Sequence, residues 1–179
     1  MVSLTYQERW KRITGFPNYE ISNVGRVYNS KSDRIMKTSK TTFGHAKISL
    51  LSNVDNTNSG RQTMSVAKLV AEAFVDRPTA LCDQVVILDG DLENLAAYNL
   101  VWRPSWYAWK YVRQLQDDQP NHFYNLAVHN VTNDITYNSV VEAGMAEGLL
   151  FTDIWRSTYS GAEIFPGDLV FVVAGKKRV

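Results

Sequence analysis

The residues with most chemical potential sit in one short stretch: Asp83, Asp89-Gly90-Asp91, Asn94 and Asn99. Carboxylates and carboxamides at that spacing can ligate a divalent cation or orient a general base. They can equally build a loop, because Asp-Gly is a turn former and Asn satisfies backbone groups locally. A hydrolytic site would also call for a histidine, and His45, His122 and His129 stand away from this stretch. Cys82 has no base partner in sequence and is expected to be inert; as the one cysteine, it excludes an internal disulfide and a multi-cysteine zinc site.

A second set of candidates is basic. Arg9, Lys11, Arg12, Arg26, Arg34, Lys37, Lys40 and Lys47 are placed to contact phosphate. Any single one reads as a solvated surface residue, but together they matter more. The chain of 179 residues has a net charge of +1, which conceals a gradient. Residues 1–50 carry nine Lys/Arg against three Asp/Glu, residues 51–120 six against nine, and residues 121–179 four against six. A polyanion approaching the first fifty residues meets a surplus of six positive charges. Double-stranded DNA is therefore the expected partner of residues 1–50. The acidic and aromatic remainder suggests a protein partner instead.

The elements that must position these residues follow from turn signals and periodicity. From Ile13 to Tyr28, apolar stretches are divided by Gly15-Phe16-Pro17-Asn18 and Asn23-Val24-Gly25, so short antiparallel strands are expected. Lys47–Leu51 is another strand, and Asn53–Gly60 is a loop by composition. Leu69, Val70, Ala73 and Phe74 share one helical face. Gln84–Leu88 is a strand ending at the Asp-Gly turn, a second strand surrounds Val101-Trp102, and Pro104 opens a helix to about Gln116. After a linker at Asp117–Asn121, Tyr124–Asn130 and Asp134–Tyr137 form a hairpin around Thr132-Asn133. Ser139 and Glu142 have capping-box spacing, Gly148 interrupts the helix they begin, and Phe151–Ser160 makes another, a minimal helix-turn-helix plan. Leu169–Val173 is a last strand, followed by a basic tail at Lys176–Arg178.

Ordinary globular composition, with 45% hydrophobic and 21% charged residues, excludes a disordered chain. No run of about 18 apolar residues exists to span a membrane, and Met1–Trp10 lacks the apolar block of a signal peptide. A cytoplasmic protein, without a membrane partner or cofactor, is expected.

Glu8-Arg-Trp10, Gly15-Phe16, Tyr19-Glu-Ile-Ser-Asn23 and Gly25-Arg26-Val27 resemble the small N-terminal module that accompanies phage HNH homing endonucleases. Leu69–Phe74, followed by Asp89-Gly90-Asp91, Asn94 and Asn99-Leu100-Val-Trp102, resembles their HNH nuclease domain. Val128–Val131, Ser139, Glu142-Ala143 and Ile154 resemble their C-terminal helix-turn-helix repeat module. The resemblance implies an α+β chain. It would comprise a small antiparallel β module at 1–60, a ββα-metal domain at 61–118 and a helix-turn-helix module with flanking strands at 121–179.

The resemblance also implies a site. An HNH centre holds one divalent cation, with a neutral histidine as general base two residues before the Asp-Gly turn and a polar ligand just before it. Those places are Ile87 and Val86. The asparagine that helps orient the histidine survives as Asn99, while the downstream ligand position falls near Ala108. A further family histidine is Ala67, and of two adjacent loop asparagines Asn94 is kept beside Leu95. The implied site is degenerate, with no metal ligated and no catalysis, unless Asp83, Asp89 and Asp91 gather a cation in another way.

Trp102, Trp106, Tyr107, Trp109 and Tyr111 crowd one region, where core packing outweighs stacking on unpaired bases. On the second helix of the C-terminal pair, Thr152, Asp153, Trp155, Arg156 and Tyr159 would face a groove, with Arg156 able to reach a base edge or phosphate. Asp153 and Glu163 oppose that contact. Three functions are in contention: a non-catalytic DNA-binding phage regulator or blocker, a protein-binding effector acting on transcription or defence machinery, and a metal-dependent nickase.

Overall fold

Short strands separated by glycines that take positive φ generate the first part of the molecule. The computed structural model describes residues 7–52, 60–116 and 122–175. Most of the expected 53–60 loop, the linker at 117–121 and the basic tail at 176–178 lie outside the described residues. Strands β1 (Trp10–Ile13), β2 (Phe16–Ser22), β3 (Val27–Asn29) and β4 (Arg34–Ile35) form an antiparallel sheet in that order. The turn between β2 and β3 needs Gly25 twice over. Its φ is +89°, and a Cβ there would lie 2.8 Å from Leu95 Cβ.

Strands β5 (Ser39–Lys40), β6 (Ala46–Leu51) and β7 (Arg61–Ser65) make a second antiparallel sheet. Ser65 then caps α1 (Val66–Phe74) by accepting from the Lys68 N–H. The hairpin β8 (Gln84–Ile87) and β9 (Leu100–Arg103) pairs Val86 with Val101 and Ile87 with Leu100. Ile21 and Val27 from the first sheet, Ile48 and Leu50 from the second, Val66, Leu69 and Val70 from α1, and Ile87, Leu100 and Trp102 from the hairpin pack into one core.

The chain divides into two compact units, residues 1–105 and 106–179. Residues on either side of position 60 pack into a single shared core. A sheet of such short strands has too little apolar surface to bury a separate one.

The second unit begins with α2 (Ser105–Leu115), whose residues from Trp106 onward belong to it. Strand β10 (Val128–Asn130) lies between β11 (Ile135–Tyr137) and β12 (Phe171–Val173), all antiparallel. The strand expected from Tyr124 is shorter than anticipated, because His122–Asn125 forms a 3-10 turn instead. Helices α3 (Val140–Glu147) and α4 (Phe151–Ser160) follow, separated by Gly148 with φ +64°. Their close approach requires Gly144, where a Cβ would meet the Phe151 ring at 2.5 Å. Val128, Val140, Leu149, Ile154 and Phe171 fill this unit's core. Among the described residues, no helix is long and apolar enough to cross a membrane.

The Tyr107 and Gln114 side chains of α2 bond within the second unit. The Tyr107 hydroxyl accepts from the Leu150 N–H at 2.9 Å, and Gln114 Oε1 accepts from the Phe151 N–H at 2.9 Å. Leu150 is the N-cap of α4 and has no capping side chain, so α2 satisfies the N–H groups at that helix start.

Candidate functional site

The Asp89–Asn99 loop is built by its own polar side chains. Asn99 is 4% exposed, and its Nδ2 donates to Asp89 Oδ1 and to the Asn94 carbonyl, both at 2.8 Å. Its Oδ1 accepts from the Asp89 N–H at 3.2 Å. Asp89 Oδ2 accepts from Asn94 Nδ2 at 2.6 Å, and Asp89 Oδ1 also accepts from the Asp91 N–H at 2.9 Å. Burial raises the Asp89 pKa, but the hydrogen bonds from Asn99, Asn94 and the backbone outweigh it and hold the carboxyl below its ordinary range. Gly90, at φ +74°, closes the turn.

The positions to which the resemblance assigns a base and a metal ligand are apolar and buried. Val86 is 1% and Ile87 8% exposed, and Ile87 is part of the core. Ala108, on α2, is also buried. None of these side chains has a lone pair to offer a cation or a proton. The three aspartates are occupied separately. Asp83 Oδ1 accepts from the Ser105 N–H at 3.1 Å, Asp91 Oδ1 accepts from the Glu93 N–H at 2.9 Å, and Asp89 is held by the asparagines. Among the described residues, no three His, Cys, Asp or Glu side chains gather as a metal-binding group. Val86, Ile87 and Ala108 offer a divalent cation no ligand atom.

The basic candidates separate into those held by the protein and those presented outward. Lys11 Nζ donates to the Ala73 carbonyl at 2.7 Å and lies 4.9 Å from the centre of the Phe74 ring, a position that complements the C-terminal end of α1. The Arg26 guanidinium pairs with Glu8 through two hydrogen bonds and lies over the Trp10 ring, at 5.7 Å from its centre. The hydrogen bond from Arg26 lowers the Glu8 pKa. Lys40 pairs with Glu93 and lowers its pKa in the same way. Arg9, Arg12, Arg34 and Lys37 are exposed, although Arg12 stands opposite Glu20 in the sheet. Arg156 lies 3.6 Å from Asp153 on α4.

Lys47 belongs to a different surface. Register pairs it with Ser39 and Ser65, pairs Ser49 with Thr63, and pairs Leu51 with Arg61. Ile48 and Leu50 face the core, so alternation places Lys47, Ser49, Thr63, Ser65 and Arg61 together on the outer face. The Ser49 and Thr63 hydroxyls are 2.9 Å apart. These register positions are hydroxylic, cationic or apolar, without a carboxylate. Sequence reasoning missed Arg61 because it sits beyond a ten-residue gap from the basic head; the signal was its polar alternation with Thr63 and Ser65.

The five crowded aromatic residues also divide. Trp102, Tyr107 and Tyr111 are buried, as core packing predicts, while Trp106 and Trp109 are exposed.

Comparison with known proteins agrees with the resemblance. Residues 8–50 match the NUMOD4 motif. Two uncharacterised HNH endonucleases of Acanthamoeba polyphaga mimivirus are 37% and 33% identical to this chain over 94 residues, or 52% of its length. The chain covers 26% and 22% of the lengths of those relatives. A solved structure of DNA binding and cleavage by the HNH homing endonuclease I-HmuI is similar, with a TM-score of 0.51 and 23% identity. The match covers 94% of this chain and 99% of that one, and it establishes a shared fold.

Proposed function

As a relative of the HNH homing endonucleases, this chain is, we propose, a DNA-binding protein that no longer cuts, acting as a regulator or blocker at its site. The observation that carries the loss of cutting is the pair Val86 and Ile87, buried where a ligand and a general base would be needed. Asp89, Asn94 and Asn99 support the same reading, since each spends its polar atoms on the loop itself.

DNA binding is supported by the basic head and by the outer face of β5–β7. Lys47 and Arg61 supply charge, while Ser49, Thr63 and Ser65 supply hydroxyl donors to phosphate oxygens. Arg9, Arg12, Arg34 and Lys37 extend that electrostatic footprint, whereas Lys11, Arg26 and Lys40 contribute charge from positions held by internal partners. On α4, Arg156 sits beside Asp153, which weakens its pull on phosphate. A titration of random duplex at increasing salt tests this reading. Affinity should fall steeply, with a log–log slope near −0.9 per phosphate neutralised. A salt-independent interaction, or none at micromolar protein, rejects it.

The relatives' endonuclease names favour a competing reading, a nickase working through Asp83, Asp89 or Asp91. The separate engagement of these three carboxylates argues against it. The acidic balance beyond residue 50 favours contact with a protein partner over that part of the chain.

A further inference from the structure

Helix α2 has two unlike sides. Tyr107, Ala108 and Tyr111 are buried. On the exposed side, Trp106 and Trp109 are 57% and 64% exposed, and Val112 is also exposed. Phe165, from the segment after α4, is exposed as well and stacks on Trp106 at 6.3 Å. Tryptophans this open, three residues apart, mark surfaces that something covers. The helix sequence contains no carboxylate. Lys110 Nζ lies 5.5 Å from the centre of the Trp106 ring, and the Arg113 guanidinium lies 5.3 Å from that of Trp109. The surface is aromatic and cationic at once.

We propose that this side of α2, with Trp106, Trp109, Lys110, Arg113 and Phe165, is a docking site for an acidic, apolar protein segment. Charge complementarity selects the acidic character: two cations and no acid along the helix suit carboxylates. Tryptophan and arginine are also the residues that dominate binding energy at protein interfaces. Single-stranded nucleic acid is the competing occupant, since it too joins negative charge to flat apolar groups. Base stacking, however, needs an open ring face. Trp106 already has Lys110 over its ring, Phe165 stacked at an interplanar angle of 26°, and Tyr107 edge-on at 5.5 Å. The cations rest against the rings instead of reaching toward a backbone. Carboxylates of a partner meet them there, and its apolar side chains pack on the ring edges and on Val112.

This site goes beyond the DNA reading, which rests on residues of the first unit. The test uses the full chain and a fluorescent peptide of alternating Glu, Leu and Phe, followed by anisotropy. A peptide with Lys in place of Glu and a labelled oligothymidine serve as comparisons. The Glu peptide should bind saturably and the Lys peptide should not. Trp109→Ala/Arg113→Glu should weaken binding at least about tenfold. Lys110→Glu/Arg113→Glu, which keeps both tryptophans and alters exposed side chains alone, should do the same. Both variants should retain the wild-type circular dichroism spectrum and duplex affinity. Absence of saturable Glu-peptide binding, or wild-type affinity for it in either variant, overturns the proposal. Oligothymidine binding that is lost in the same variants overturns it too, and assigns the surface to single strands.

Discussion

Asn99 and Asp89 hold each other reciprocally: the Asn99 carboxamide donates to Asp89 Oδ1 at 2.8 Å and accepts from the Asp89 N–H at 3.2 Å. In a chain whose neighbouring positions are Val86 and Ile87, that pair has loop structure as its task. Asn99→Ala should therefore destabilise the protein by about 1–3 kcal/mol, because it removes the buried carboxamide that holds Asp89 and the Asn94 carbonyl. Chemical denaturation measures this, and an unchanged midpoint would show that the pair does not support the loop.

The same pair has a pH signature. The Asp89 pKa in the folded protein lies below its ordinary value of 3.8, so the stability it contributes is present above that value. That stability is lost as pH falls through the lowered folded value. Asp89→Asn should flatten this acid limb of the stability profile relative to wild type. An identical limb in the variant contradicts the assignment.

Gly25 makes a separate point about the β2–β3 turn. Positive φ and the 2.8 Å approach to Leu95 act together, so Gly25→Ala should cost more than the ~1 kcal/mol typical of a strained backbone alone. Thermal unfolding of the variant reads this directly, and a neutral substitution would contradict the close approach.

Much of this architecture was legible in local sequence. The Gly25 turn, the Ser139 cap, the Gly148 break and the hairpin ending at Asp89-Gly90 are each set by residues a few positions apart. The bonding partners of α2 were not legible, because its hydrogen bonds to Leu150 and Phe151 span 43 and 37 residues. Nor could periodicity divide the aromatic cluster, since Tyr107 and Trp106 differ in which tertiary surface meets them. The basic residues were visible as a set, but their occupations were not. Lys11 on the Ala73 carbonyl and Arg26 on Glu8 are contacts across strands and helices that composition does not encode.

The support that α2 gives to α4 can be tested in the second unit. Tyr107→Phe/Gln114→Ala removes the acceptors for the Leu150 and Phe151 N–H groups. The double variant should lose about 2 kcal/mol, near one unit per hydrogen bond. Hydrogen exchange should show the loss as faster exchange in α4 and little change in β5–β7; uniform exchange changes across both regions would contradict it.

On the sheet, Lys47→Glu/Arg61→Glu should reduce the log–log salt slope of duplex binding by about 2, for two phosphate contacts. Lys11→Met should reduce stability more than DNA affinity, because its amine serves the end of α1. The reverse ranking would move the DNA contact away from β5–β7.

The chain, similar in fold to a homing endonuclease, is proposed to bind DNA without cutting it. Purified protein incubated with supercoiled plasmid and magnesium or manganese, then deproteinised and resolved by electrophoresis, tests it most directly. The account predicts plasmid that stays fully supercoiled at protein concentrations that retard duplex DNA. Nicked or linear plasmid, formed by wild type and abolished by Asp89→Ala or Asn99→Ala variants that still fold, would contradict it.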